Sequence, residues 1–161
     1  MTIWERLYTK VKSIYYKIYL MKVKRCLIFG SLTVCKYSDI YVLKGGSLSI
    51  GSLYLGSYSS ITAQKKITIG DNVMIGENVH VYDHNHRFNQ SEIPFSKQGY
   101  SFKEVSIGNN CWIGSGVVIL AGSRVGNNVV IGAGCVINGN IPDNSIVRCD
   151  GRLIISPIIY K

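Results

Sequence analysis

From Ile107 onward an aliphatic side chain returns at every sixth position: Ile107, Ile113, Ile119, Val125, Ile131 and Ile137. Glycine directly follows four of them, at Gly108, Gly114, Gly126 and Gly132. The same spacing in another phase gives Ile69, Ile75 and Val81 with Gly70 and Gly76, and a looser version gives Ile50, Leu55 and Ile61 with Gly51 and Gly56. The fifth place of the hexad is also small or aliphatic: Val73, Val79, Cys111, Val117, Ser123, Val129, Cys135 and Ile141. A period of six matches neither an amphipathic helix nor a long half-buried strand. It matches very short strands separated by sharp corners, three to a coil. The aliphatic residue then points inward, and the glycine either relieves crowding or permits positive φ at the corner. Grouping three hexads per coil gives Ile50/Leu55/Ile61, Ile69/Ile75/Val81, Ile107/Ile113/Ile119 and Val125/Ile131/Ile137. Coils stacked about 4.8 Å apart would align these residues in three interior columns. The phase slips near Lys65–Lys66, and a longer insertion, residues 83–104, separates Val81 from Ile107. Loops longer than roughly 12–15 residues inside a compact fold tend to be functional.

The N-terminal segment follows a different period. Ile3, Leu7, Val11, Ile14, Ile18 and Met21 recur at steps of three and four, the signature of an amphipathic helix, with Trp4, Tyr8, Tyr15, Tyr16 and Tyr19 widening its apolar face. The chain therefore divides into a basic amphipathic helix within 1–30, a repeat domain over 31–152 and a tail over 153–161. The helix either seals the open end of the coils against edge-to-edge stacking or rests on an anionic membrane. The two roles are compatible.

Composition narrows the class. A chain of 161 residues with 47% hydrophobic and 17% charged residues is an ordered single domain. No apolar stretch approaches the roughly 18 residues of a membrane span, and the N-terminus lacks the pure apolar core of a secretory signal. Five cysteines without metal-like spacing fit free thiols in a reducing cytoplasm. Cys111 and Cys135 fall at the fifth hexad place and are expected to fill core, not to act as nucleophiles. The net charge of +9 is uneven, because residues 1–25 carry seven basic groups against the single acid Glu5. That local cluster argues against nucleic-acid binding, which spreads cations over a face of the fold.

Candidate chemistry gathers at the start of the long insertion, in Tyr82-Asp83-His84-Asn85-His86-Arg87-Phe88. All three histidines, His80, His84 and His86, lie within seven residues. A neutral imidazole can accept a hydroxyl proton near pH 7, so a loop-borne histidine suits a general base. Residue type alone does not choose among the three.

Ile67-Thr68-Ile69-Gly70-Asp71-Asn72-Val73-Met74-Ile75-Gly76, the histidine loop, and Ile107-Gly108-Asn109-Asn110-Cys111-Trp112-Ile113-Gly114 follow one another with a spacing that resembles the galactoside, maltose and xenobiotic acetyltransferase group. These are hexapeptide-repeat enzymes, and the similarity covers roughly residues 48–152. The resemblance implies an all-β, left-handed parallel β-helix preceded by a short helix, assembled as a homotrimer with active sites between subunits. It implies acetyl transfer from acetyl-CoA to a hydroxyl, with the base falling on His86, His84 as its neighbour and His80 as an outward strand residue. Asp83 or Asn85 is then expected to orient the imidazole or bind the acceptor. Trp112, Ser115 and Ala133 match cofactor-contact positions, although both small residues equally suit plain corner turns. Arg152, with Arg148 as the alternative, is the cation matched to the nucleotide phosphates. The segment Arg148-Cys149-Asp150-Gly151-Arg152 lacks the proline usual there.

A basic, tyrosine-rich start further resembles acetyltransferases of polysaccharide gene clusters. That points to a glycan acceptor, a surface polysaccharide or its precursor, at the cytoplasmic face of the inner membrane. Three other readings compete: a free sugar or antibiotic acceptor, a γ-carbonic-anhydrase-like zinc enzyme, and a non-catalytic β-helix. The zinc reading is weakened because no histidine exists outside the one cluster, so no metal site is expected.

Overall fold

Strands of two to four residues, with aliphatic side chains buried at alternate positions, form most of the faces, and each pairs with the equivalent strand one coil away instead of with its sequence neighbour. The computed structural model describes residues 2–22, 25–149, 151 and 153–157. The strands build three parallel faces. The first stacks Cys26–Ile28, Leu48–Ile50, Ile67–Ile69, Val105–Ile107, Arg124–Val125 and Asn140–Ile141. The second stacks Leu32–Val34, Leu53–Leu55, Val73–Ile75, Trp112–Ile113, Val130–Ile131 and Ser145–Cys149. The third stacks Asp39–Val42, Ser60–Ala63, His80–Tyr82, Val118–Ile119 and Val136–Ile137. The result is a parallel β-helix.

The three expected columns form. Ile50, Ile69, Ile107 and Val125 are in register on the first face; Leu55, Ile75, Ile113 and Ile131 on the second; Ile61, Val81, Ile119 and Ile137 on the third. Each of these residues is buried, and together they form one continuous core. An earlier coil, unmarked by glycine hexads, adds Ile28, Val34 and Ile40 to the same columns. At the far end the first column continues to Ile141, which pairs with Val125, so the last coil is shorter than eighteen residues. Cys111 and Cys135 are buried among these side chains, and burial pushes both thiols up from their ordinary range. Core filling is their role.

Of the two possible roles for the hexad glycines, crowding is the one observed. A Cβ on Gly56 would lie 2.2 Å from the Gly76 carbonyl oxygen in the next coil. The left-handed positions fall instead to other glycines, such as Gly116 and Gly134, and to asparagines: Asn72, Asn78, Asn110, Asn128 and Asn144 all have positive φ. Asn110 donates its side-chain amide to Asn128 at 2.9 Å, and Asn128 to Asn144 at 3.0 Å, so one corner of the solenoid is a hydrogen-bonded ladder.

The N-terminal helix α1, Ile3–Lys22, lies over the first coil. Its Ser13 hydroxyl accepts the Val34 amide at 2.8 Å, Tyr16 donates to Asp39 at 2.6 Å, and Lys36 pairs with Glu5 at 3.0 Å. Leu20 and Tyr16 join the core. The helix thus closes the coil end as expected, but with the opposite side inward. The buried side is Thr9, Tyr16 and Leu20, whereas Ile3, Leu7, Val11, Ile14, Ile18 and Met21 are exposed. The reason is local. The coil end presents the Val34 amide and the Asp39 carboxylate, which the Ser13 and Tyr16 hydroxyls satisfy and aliphatic side chains cannot. At the other end, Leu153–Pro157 folds back antiparallel on Ser145–Cys149, so the expected tail begins as a strand.

Candidate active site

After His80–Tyr82 the chain leaves the solenoid as a hairpin: His84–His86 pairs antiparallel with Tyr100–Phe102, with His84 opposite Phe102 and His86 opposite Tyr100. The insertion therefore has structure of its own. Asp83 stands at the exit with its side chain fully buried. Its carboxylate accepts the Gln64 amide at 2.9 and 3.1 Å and the Lys65 amide at 2.7 Å. Phase slip and histidine loop are thus one feature, since the extra backbone near Lys65 supplies the donors that hold Asp83. The Lys103 amide donates to the Asp83 carbonyl at 2.9 Å and closes the hairpin base.

The expected orienting contact falls on the neighbour. Asp83 Oδ1 lies 3.2 Å from Nδ1 of His84, not against His86. His84 and His86 share one side of their strand, Asn85 the other. The Tyr100 ring sits 4.5 Å from His86 and 5.6 Å from His84, centre to centre, so it supports both imidazoles. His86 itself is exposed. Asn85 meets the opposite strand through its carbonyl, which accepts the Ser101 hydroxyl at 3.4 Å. The loop beyond is organised by Gln98, whose buried side chain donates to Gln90 and Ile93 carbonyls at 2.9 and 2.6 Å and accepts the Gln90 amide at 3.1 Å. Neither Tyr100 nor Gln98 carries a spacing signal, because both return from the far end of the loop.

His80 faces outward from the third face, its Nδ1 2.8 Å from the Ser60 hydroxyl. Tyr82 lies between it and His84, at 6.0 and 5.8 Å from the two rings. Among the described residues no three histidine, cysteine or carboxylate side chains converge on one point.

The positions matched to cofactor contacts lie elsewhere on the solenoid. Trp112 projects from the second face, 52% exposed, in register with Met74 and Val130. A groove of about 360 Å³ runs beside it, bounded by Asn72 and by Asn110 and Asn128 of the corner ladder. Ser115 and Ala133 occupy successive levels of the corner between second and third faces, where the Gly134 amide donates to the Ser115 carbonyl at 2.9 Å. The Ser115 hydroxyl accepts the Glu77 amide at 3.2 Å, so it ties this corner to the equivalent one of the preceding coil. Arg148 is exposed on the last parallel strand; Arg152 lies outside the described residues. Trp112 and the histidine hairpin therefore belong to different faces of one chain.

Residues 104–139 match the family described as bacterial transferase hexapeptide (six repeats). The chain is 38% identical over 108 residues to the galactoside O-acetyltransferase of Escherichia coli, covering 66% of this chain and 52% of the relative. It is 33% identical over 103 residues to a putative lipopolysaccharide biosynthesis O-acetyl transferase of the same organism, covering 60% and 53%. The chain spans about half or less of the length of the curated relatives it matches. Among solved structures, a galactoside acetyltransferase in complex with coenzyme A superposes with a TM-score of 0.63 at 29% identity, over 84% of this chain and 64% of that one. The likeness to hexapeptide-repeat acetyltransferases read from the motifs is borne out.

Proposed function

We propose that this hexapeptide-repeat protein is an acetyl-CoA-dependent O-acetyltransferase whose acceptor is a sugar hydroxyl of a bacterial surface polysaccharide or its precursor. The observation that carries the reading is an exposed imidazole, His86, held on a hairpin beside a repeat scaffold shared with acetyltransferases. His86 takes the proton from the acceptor hydroxyl as its oxygen attacks the thioester carbonyl. Backbone N–H groups at the coil corners stabilise the oxyanion, and the intermediate collapses with loss of the CoA thiolate. Tyr100 holds the ring, while Asp83 fixes His84 and through it the strand. Trp112, Ser115 and Ala133 line the path of the pantetheine, and Arg148 and Arg152 meet the nucleotide phosphates.

Because the base and the Trp112 groove lie on different faces, we assign the complete site to two adjoining copies in a homotrimer, the hairpin of one facing the groove of the next. The need for CoA and the five free thiols support a cytoplasmic location. The lipopolysaccharide relative supports a polymer or lipid-linked acceptor; the galactoside relative supports a second reading, a small free sugar. A panel of both acceptor types, with released CoA thiol as readout, distinguishes them.

The decisive test is His86→Ala. Turnover should fall at least about 100-fold, the scale of general-base loss, while stabilisation by CoA in a thermal melt persists. Wild-type turnover in the variant removes His86 as the base. Absence of any CoA stabilisation in the wild type removes the enzyme reading.

A further inference from the structure

The outer side of α1 is left without a partner by the way the helix docks. Its polar side is spent on the coil end, and its one acid, Glu5, is paired with Lys36. Ile3, Leu7, Val11, Ile14 and Ile18 form an outward stripe along about 22 Å of helix, each at least half exposed. Trp4 and Tyr15, 78% and 61% exposed, border it on one side. On the other side lies a groove of about 420 Å³ between the helix and the Ser31–Thr33 segment, lined by Arg6, Lys10 and Lys17 together with the hydroxyls of Thr9 and Ser31.

We propose that this side of α1 docks on an anionic phospholipid bilayer: the aliphatic stripe enters the headgroup boundary, Trp4 and Tyr15 sit at the interface, and the cationic groove receives lipid phosphates. An apolar stripe bordered by aromatics and cations is the combination that holds a helix in the plane of a membrane surface. Charge chooses the occupant. Among the described residues no acid lies on this side, and a second copy would bring the same cations against Arg6, Lys10 and Lys17. A sheet of phosphate esters neutralises them. No helix among the described residues is long and apolar enough to cross a membrane, so the contact is peripheral. The inference stands apart from the acetyl-transfer reading.

The test is co-sedimentation of the full chain with vesicles of pure phosphatidylcholine or of phosphatidylcholine with phosphatidylglycerol. The chain should pellet with the anionic vesicles and be released by high salt. Replacing Arg6, Lys10 and Lys17 together by glutamine should lower partitioning roughly 100-fold. Leu7→Ser with Ile14→Ser and Ile18→Ser should abolish binding with the far-UV dichroism and CoA stabilisation of the parent chain intact. Equal pelleting with both vesicle types, or none with either, overturns the proposal. So does a serine triple variant that still pellets but loses oligomeric mass in light scattering, which would make the stripe a protein contact.

Discussion

At the scale of single residues, two kinds of glycine separate cleanly. Gly56→Ala places a methyl group 2.2 Å from a carbonyl oxygen of the next coil, and should cost on the order of 1–3 kcal/mol in urea unfolding, as overpacked cores do. Gly134→Ala meets nothing within 4 Å but sits at φ 73°, so only the left-handed strain of about 1 kcal/mol is expected. Equal losses in the two variants would contradict the crowding account. Asp83 is the other residue on which much rests. Asp83→Ala removes the acceptor for the Gln64 and Lys65 amides, and each bond to a charged group contributes roughly 1.5–3 kcal/mol. The expected result is a lower unfolding midpoint together with a loss of turnover, because the histidine strand starts at this carboxylate. The three imidazoles were legible as a cluster; that Asp83 would meet His84 was not, since the extra backbone near Lys65 and the loop exit are adjacent only in space.

At the scale of elements, α1 shows how docking overrides a pattern. The three- and four-residue period predicts a helix, and Ile3–Lys22 is one, but which side turns inward depends on what the coil end offers. Tyr16 is the anchor: burial first, then its bond to Asp39, raises its phenol above the ordinary tyrosine range. The folded state therefore favours the neutral phenol. Its stabilisation is complete below the unfolded value of about 10 and declines as pH rises from there toward the raised folded one. Helix docking should weaken in that alkaline window in the parent chain. Tyr16→Phe should lose the bond at every pH, roughly 1–3 kcal/mol, and flatten the alkaline slope. A variant with the parent's slope would mean that another group titrates there. The hairpin is a second element the period could not foresee: it has no hexads, and its pairing rests on Tyr100 and Gln98 returning from the far end of the insertion.

At the scale of the whole molecule, the separation of His86 from the Trp112 groove is what the proposed intersubunit site rests on. If two copies complete one site, His86→Ala and Trp112→Ala chains, each nearly inactive alone, should regain a measurable fraction of wild-type turnover when denatured and refolded together. No recovery in mixed oligomers, with exchange verified by mass, would place the site within one chain. The division between what residues and space each decide follows the same line. The six-residue recurrence determined the solenoid, its three columns and its buried cysteines. A side chain's inward or outward direction in a two- to four-residue strand is settled locally, and stacking identical coils repeats the decision. The exposed face of α1, the partner of Asp83, the asparagine ladder and the gap between His86 and the Trp112 groove depended on distant segments meeting at corners and ends, where no period survives to announce them.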